Sequence, residues 1–280
     1  MVDSRRNTPH PSSEAVGDYY DQMGVFLSSI FGEDIHVGIW DVDDTSSMSA
    51  AQTRLTDRLI DLLRLPDSAY VLDVGCGTGN PAMRLAERTK ARAFGVSISS
   101  SQVTSAVAKS HDAGLSSRLE FIRADAMDLP CESAVFDAAW AIEMLFHVPD
   151  RLQVLREIYR AVKPGGRVVL TEFVEREPLT DQERDLLTQG FAFSSLLRPE
   201  NYGDAISRSG LEVIQVHDVT AETRQSMPWF QSRYDSARDA LSGHYGPEFA
   251  AQLDQLLPTG LSVYSEKLGY VIAEARRPID

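Results

Sequence analysis

The stretch Val71-Leu72-Asp73-Val74-Gly75-Cys76-Gly77-Thr78-Gly79 passes from a short apolar segment into a glycine-rich loop. Glycines there permit tight turns and let backbone N–H groups come close to a ligand. Gly77-Thr78-Gly79-Asn80-Pro81-Ala82 also fits the G-x-G-x-x-A pattern of dinucleotide sites. Against a dinucleotide, Asp73 and Gly75 precede that pattern, and a pyrophosphate site has no use for the extra carboxylate. A second cluster is Glu143-Met144-Leu145-Phe146-His147-Val148-Pro149-Asp150. An imidazole titrates near neutrality and is suited to taking a proton from a reacting hydroxyl. Asp125, after an apolar run, carries an acceptor for an amino group, and Ser97, Ser99 and Gln102 carry hydroxyl and amide groups at another run's end. Each has a plain structural reading too: Asp125 as a turn cap, Ser99 as a helix cap, Glu143 as a partner for Arg156, and His147 as a hydrogen-bonded residue of an apolar stretch.

These residues need a scaffold, and the pattern predicts one. From Tyr70 strands and helices alternate. Expected strands are Tyr70 to Val74, Arg92 to Val96, Leu119 to Arg123, Phe136 to Ala141 and Arg167 to Phe173. Between them lie a helix reaching about Thr89, one with Val103, Ala106 and Val107 on a face and ending at Gly114, and one burying Leu155, Ile158, Tyr159 and Val162. Lys163-Pro164-Gly165-Gly166 turns the chain into the fifth strand. Such alternation implies an α/β fold, a parallel sheet with helices on both faces, and ligands in such sheets bind at the strands' carboxyl edge. Further strands are expected at Leu211 to Val216 and Lys267 to Ala273. A helix from the Ser12/Ser13 caps carries Val16, Tyr19, Tyr20, Met23 and Phe26, and another runs through Leu55, Leu59, Ile60, Leu62 and Leu63 to Pro66. The expected division is a disordered tail at 1–13, N-terminal helices forming part of a lid at 14–66, a core at 67–175, and helical cap segments plus the last core strands at 176–280. Phe191, Phe193, Met227, Trp229, Phe230 and Tyr234 fall in the cap, to line an apolar pocket or to pack as core.

Composition narrows the partners. A formal net charge of -14 over 280 residues argues against a nucleic-acid surface and an anionic membrane. Cys76 and Cys131 read as free thiols, and no Cys/His spacing suggests a metal site. The polar start, Met1 to Ser13, lacks the apolar stretch of a secretory signal, and no apolar run approaches membrane-spanning length. The expectation is a cytoplasmic protein acting on a small molecule; the oligomeric state is left open.

Residues Val71 to Gly79 resemble motif I of class I S-adenosylmethionine-dependent methyltransferases, and four further stretches resemble that family's motifs in register. They are Gly95-Val96-Ser97-Ile98-Ser99 with Gln102, Ala124-Asp125-Ala126-Met127-Asp128-Leu129-Pro130, Phe136 to Glu143, and Leu155-Arg156-Glu157 with Val162 to Gly166. Together they span most of residues 67–175. The resemblance is nearer still to bacterial antibiotic-pathway O-methyltransferases acting on macrocyclic polyketides and glycosylated aromatics. It extends to Tyr19-Tyr20-Asp21, His36-Val37-Gly38-Ile39-Trp40 and Glu172-Phe173-Val174.

The resemblance implies a Rossmann-like, seven-stranded, mostly parallel sheet with a helical cap, and S-adenosyl-L-methionine as cofactor with no metal. Its amino-acid end and sulfonium carry no phosphate, which suits a carboxylate at Asp73. It implies cofactor contacts from Asp73, Gly75, Gly77, Gly79, Ser97, Ile98, Gln102, Asp125, Ala126, Ile142 and Glu143, with Tyr20 and His36 covering the ligand, and Tyr19 and Trp40 as further candidates. Many class members hold the ribose with an acid at the end of strand two, where this chain has Ser97 and Ser99. His147 matches the family's catalytic histidine; relatives often have a second histidine where Phe146 stands, and some have Asp where Glu172 stands, making Glu172 the other catalytic candidate. The implied reaction is methyl transfer to a hydroxyl of a small, largely apolar secondary metabolite. The alternative is a protein of the same fold that keeps the cofactor site but catalyses a cyclisation in a polyketide pathway.

Overall fold

The computed structural model describes residues 11–41 and 44–279. Its centre is a seven-stranded sheet in the order β3-β2-β1-β4-β5-β7-β6. The strands are β1 (Tyr70–Val74), β2 (Arg92–Ser97), β3 (Leu119–Arg123), β4 (Phe136–Ile142), β5 (Val162–Glu175), β6 (Glu212–Asp218) and β7 (Leu268–Arg276). All neighbours pair in parallel except β7, which runs antiparallel to both β5 and β6. The strand order reverses between β1 and β4, which opens a crevice beyond their carboxyl ends.

The central strands read as continuous apolar runs because both faces are covered. Val71 packs with Leu55 and Leu59 on one side, whereas Leu72 packs with Leu155 and Ile158 on the other. The helices are α1 (Ser13–Gln22), α2 (Gly24–Phe31), α3 (Met48–Leu63), α4 (Asn80–Arg88), α5 (Ser100–Asp112), α6 (Arg151–Ala161), α7 (Asp181–Phe191), α8 (Pro199–Ser207), the short α9 (Thr220–Thr223), α10 (Ser226–Tyr245) and α11 (Pro247–Lys267). Side-chain caps fix several starts: Ser12 accepts from the Ala15 N–H, Ser99 from Gln102 and Asp150 from Gln153. Among the described residues no helix is long and apolar enough to cross a membrane.

Some expectations are corrected. The predicted first helix is two, broken at Met23; the apolar spacing of Tyr19, Met23 and Phe26 continues across the break and hides it. Val107 is 48% exposed, so Ala106 alone of that predicted trio is fully buried. Val162 opens β5 opposite Phe136 instead of closing α6. The Lys163–Gly166 turn lies within β5 as an irregularity of its pairing with β4, and glycine fits at 166 because a Cβ there would stand 2.7 Å from the Asp137 carbonyl oxygen. Of the expected tail, residues 1–10 lie outside the described residues, while Ser12 caps α1 and Ser13 is helical. Within 14–66, α3 belongs with the sheet: Leu55, Leu59 and Leu63 bury against it, leaving α1 and α2 over the crevice.

Candidate active site

Two cavities open at the carboxyl edge of the sheet. The first, about 690 Å3 including its mouth, lies over the glycine loop. Its wall takes Gly75 and Gly77 from the β1 loop, Ser97, Ile98 and Gln102 from the end of β2, Asp125 and Ala126 after β3, Ile142 and Glu143 at the end of β4, and Tyr20 from α1. The second, about 710 Å3, is aromatic, with Phe146, Phe173, Phe193 and Tyr264 at its heart. Tyr20, Ile35, Glu143 and His147 line both.

The loop glycines divide in their roles. Gly77 has φ +52° and nothing within 4 Å of where a Cβ would be, so its open side faces the first cavity. Gly79, with φ +83°, is a packing glycine: a Cβ would stand 2.9 Å from both Ala106 and Phe121, and the residue lines neither cavity. Asp73 lies beneath the loop, buried and lining neither cavity; its Oδ2 makes no hydrogen bond, with the Trp140 indole close enough to act on the carboxyl. Burial pushes its carboxyl up to about 7. An orphaned buried carboxylate oxygen under a loop of this shape suits an ammonium group.

At the end of β2, the Ser97 hydroxyl donates to Gln102 Oε1 at 2.8 Å, and Ser99 caps α5. Asp21 of α1 accepts from the hydroxyls of Ser99 and Ser101 and from the Ser101 N–H, pinning α1 across the cavity. Gly17 makes that approach possible, since a Cβ there would stand 3.1 Å from the Ile98 carbonyl oxygen. Asp125 has both roles allowed by its sequence: Oδ1 accepts from the Met127 N–H at 2.9 Å, and the residue lines the first cavity.

Glu143 sits at the shared wall in the left-handed region, φ +51°, a conformation that costs a non-glycine residue energy and collects at functional sites. Its Oε1 accepts from the Val37 N–H and the Tyr270 hydroxyl, each at 2.8 Å, so the Arg156 pairing is not formed. Burial raises the carboxyl's pKa. His147, in the short turn Leu145–His147, has Nδ1 2.9 Å from the Ala192 carbonyl oxygen. A carbonyl only accepts, so Nδ1 carries the proton and Nε2 is bare. Nε2 in turn accepts from the Tyr20 hydroxyl at 2.8 Å. Burial lowers the imidazole pKa to about 4.

Besides Asp73 and Gly79, three candidates for cofactor or catalytic roles lie off both cavities. His36 is buried; its Nδ1–H donates to the Val37 carbonyl and its Nε2 faces the Thr56 hydroxyl, so it braces the loop that carries Val37. Trp40 packs in the core beside it. Glu172 is a correction: strand alternation puts Phe173 in the second cavity and turns Glu172 to the opposite face, where it pairs with Arg151 at 2.6 Å. From the cap, Phe191, Phe193, Met227 and Phe230 reach the second cavity, whereas the Tyr234 hydroxyl is tied to Asp254 and Ala250. Within the expected lid and cap, sequence reasoning missed Leu27, Ile30 and Tyr264 as lining residues, and it missed the Ala192 carbonyl; helical apolar spacing looks alike whether it faces a cavity or a core.

Residues 72–170 match a methyltransferase-domain family. The chain is 32% identical to (+)-O-methylkolavelool synthase of Herpetosiphon aurantiacus, over 96% of each chain. It is 35% identical to 27-O-demethylrifamycin SV methyltransferase of Amycolatopsis mediterranei, over 96% of this chain and 98% of that one. Among solved structures, the [4+2]-cyclase SpnF superposes with a TM-score of 0.86 at 33% identity, over 97% of this chain and 99% of that one. The sheet order, the glycine loop at its switch point and these likenesses along nearly the whole length make the chain a member of the class I S-adenosylmethionine-dependent methyltransferase family, among the relatives of bacterial secondary-metabolite O-methyltransferases.

Proposed function

We propose that the protein binds S-adenosylmethionine in the first cavity and methylates a hydroxyl of a small, largely apolar secondary metabolite held in the second. The observation that carries the reading is the shared wall, where a bare imidazole nitrogen of His147 stands between the cavity that holds Ser97, Gln102 and Asp125 and an aromatic one. Asp73, Gly75 and Gly77 would hold the cofactor's amino-acid end, Ser97, Ile98, Gln102, Asp125 and Ala126 its nucleoside, and Ile142, Glu143 and Tyr20 its middle. Gly79 and His36 act from behind, by packing the loop and bracing Val37. When bound, the cofactor supplies a methyl group already activated by its sulfonium.

The chain then has to orient a hydroxyl and remove one proton. His147 Nε2 takes that proton once the hydroxyl replaces Tyr20 as its donor. A base with pKa about 4 is free of protons at neutral pH. It is strong enough, because the hydroxyl proton becomes very acidic as its oxygen bonds to carbon. The polar groups on the second cavity's wall are Glu143, His147 and tyrosine hydroxyls, among aromatic and aliphatic side chains. That lining favours a neutral skeleton with few hydroxyls, such as a terpenoid alcohol or a macrocyclic polyketide.

A second reading is cyclisation with the cofactor site retained, favoured by the likeness to SpnF over 97% of the chain. Mass spectrometry decides between them. Incubation with isotopically labelled methyl donor and a panel of terpenoid and polyketide alcohols should put the label in a product. A ring formed from an acyclic polyene without label would replace the first reading by the second.

A further inference from the structure

We propose that the buried Arg151–Glu172 pair is a positioning device that holds His147 in its Nδ1–H tautomer, acting through the segment 192–197. This rests on the reading of His147 as the base. Arg151 opens α6, four residues after His147. One of its guanidinium nitrogens donates both to Glu172 at 2.6 Å and to the Ser195 carbonyl at 2.9 Å, and the other reaches the Ser195 hydroxyl at 3.3 Å. Segment 192–197 is also held by the Phe146 carbonyl, which accepts from the Ser194 and Ser195 N–H groups, and by the Leu197 carbonyl, which accepts from the Glu175 N–H. At its head Ala192 is left-handed, φ +55°, and this aims its carbonyl at His147 Nδ1.

So one guanidinium ties the start of α6 to the segment that fixes the imidazole proton, and the Phe146 carbonyl ties that segment to the turn bearing His147. Glu172 is fully buried and anchors that guanidinium to the far face of β5. A buried ion pair is poor value for stability alone, since apolar residues of similar volume pack as well. What the pair adds is the planar fork: one nitrogen joins Glu172 to the Ser195 carbonyl and the second holds the Ser195 hydroxyl in the same plane, where a lysine would offer a single point. Glu172 therefore serves the reaction from the other side of the sheet, as a positioning residue.

The test is the nitrogen spectrum of histidine-labelled protein, with the His147 signals identified by their loss in His147→Gln. Wild type should show one protonated Nδ1 and one bare Nε2. The double variant Arg151→Met with Glu172→Leu removes the pair without stranding a charge. It should keep wild-type affinity for S-adenosylhomocysteine by calorimetry while the His147 nitrogens move to a mixture of tautomers. Arg151→Lys, which keeps a charge for Glu172 but loses the fork, should give the same mixture and serves if the double variant fails to fold. An unchanged nitrogen pattern in the variants, even with a lowered melting temperature, overturns the proposal. The spectrum reads positioning whether or not His147 removes a proton, whereas full methyl transfer by His147→Gln would sink the base reading alone.

Discussion

The Tyr20 hydroxyl donates to His147 Nε2 at 2.8 Å, across the line where the two cavities meet. A helix of the N-terminal lid thus closes on the nitrogen that the reaction needs, and an incoming hydroxyl takes the place of a hydroxyl already there.

His147→Ala should lower turnover by roughly 10²–10⁴-fold, the usual contribution of general base catalysis, with affinity for S-adenosylhomocysteine near wild type. The wild-type rate should hold down to about pH 4, far below the range of an ordinary histidine, because burial lowers this imidazole to about 4. A pH-rate profile with its acid limb at pH 6 to 7 (the unperturbed range, about 6.5) would contradict the burial argument.

Tyr20→Phe removes the donor and leaves the ring. The lid loses one hydrogen bond of ordinary strength, about 0.5–1.5 kcal/mol, so S-adenosylhomocysteine should bind a few-fold more weakly and leave faster. Turnover should fall less than in His147→Ala. Stopped-flow release rates check the first point; an unchanged rate would mean that Tyr20 is a wall and not a latch.

Gly77→Val and Gly79→Val should fail differently. At Gly77 the new side chain enters the first cavity, in a left-handed conformation that a β-branched residue resists, and cofactor binding should be lost from a folded protein. At Gly79 it strikes Ala106 and Phe121 inside the core, and the melting temperature should drop before binding is at issue. Circular dichroism melts with calorimetry separate the two.

The sheet was legible because its strands are buried on both faces and punctuated by glycine. Val71 to Gly79 and Phe136 to Glu143 announce their positions without any partner in view. Most cofactor-side candidates share that advantage, since they end strands: Ser97 ends β2, Ile142 ends β4, and Asp125 lies two residues beyond β3. What the sequence concealed depends on contacts across long separations. Ala192 sets the tautomer of His147 through a main-chain carbonyl 45 residues away, and a carbonyl has no residue type to notice. Glu172 looked catalytic because some relatives of the family it resembles carry Asp there; strand alternation puts it on the face opposite Phe173, away from the second cavity.

Asp125→Ala should weaken S-adenosylhomocysteine by about 1–3 kcal/mol, the range for a lost hydrogen bond to a charged group. It also strips the cap from the Met127 N–H, so a small loss of stability should accompany it. Titration calorimetry showing unchanged affinity together with that loss would leave Asp125 as a turn residue only.

Asp73→Asn should separate stability from binding. Burial raises the Asp73 carboxyl from its ordinary 3.8 to about 7, so between those values the folded chain keeps a proton that the unfolded chain has released. The sign follows: this contribution is complete below about pH 4, is lost as pH rises through about 7, and changes no further above it. Asparagine does not titrate. The variant's melting temperature, compared with wild type in the absence of ligand, should therefore gain from about pH 4 to about pH 7 and level off beyond. Ligand should reverse the order. An ammonium group placed at the orphaned Oδ2 favours the ionised carboxylate, and asparagine offers it no charge. S-adenosylhomocysteine should thus stabilise wild type more than the variant at neutral pH, with affinity weakened by about 1–3 kcal/mol. Thermal melts across pH, with and without S-adenosylhomocysteine, read both effects; equal ligand-induced shifts in the two proteins would remove Asp73 from the binding site while leaving the pH-dependent difference in the free protein to stand on burial alone.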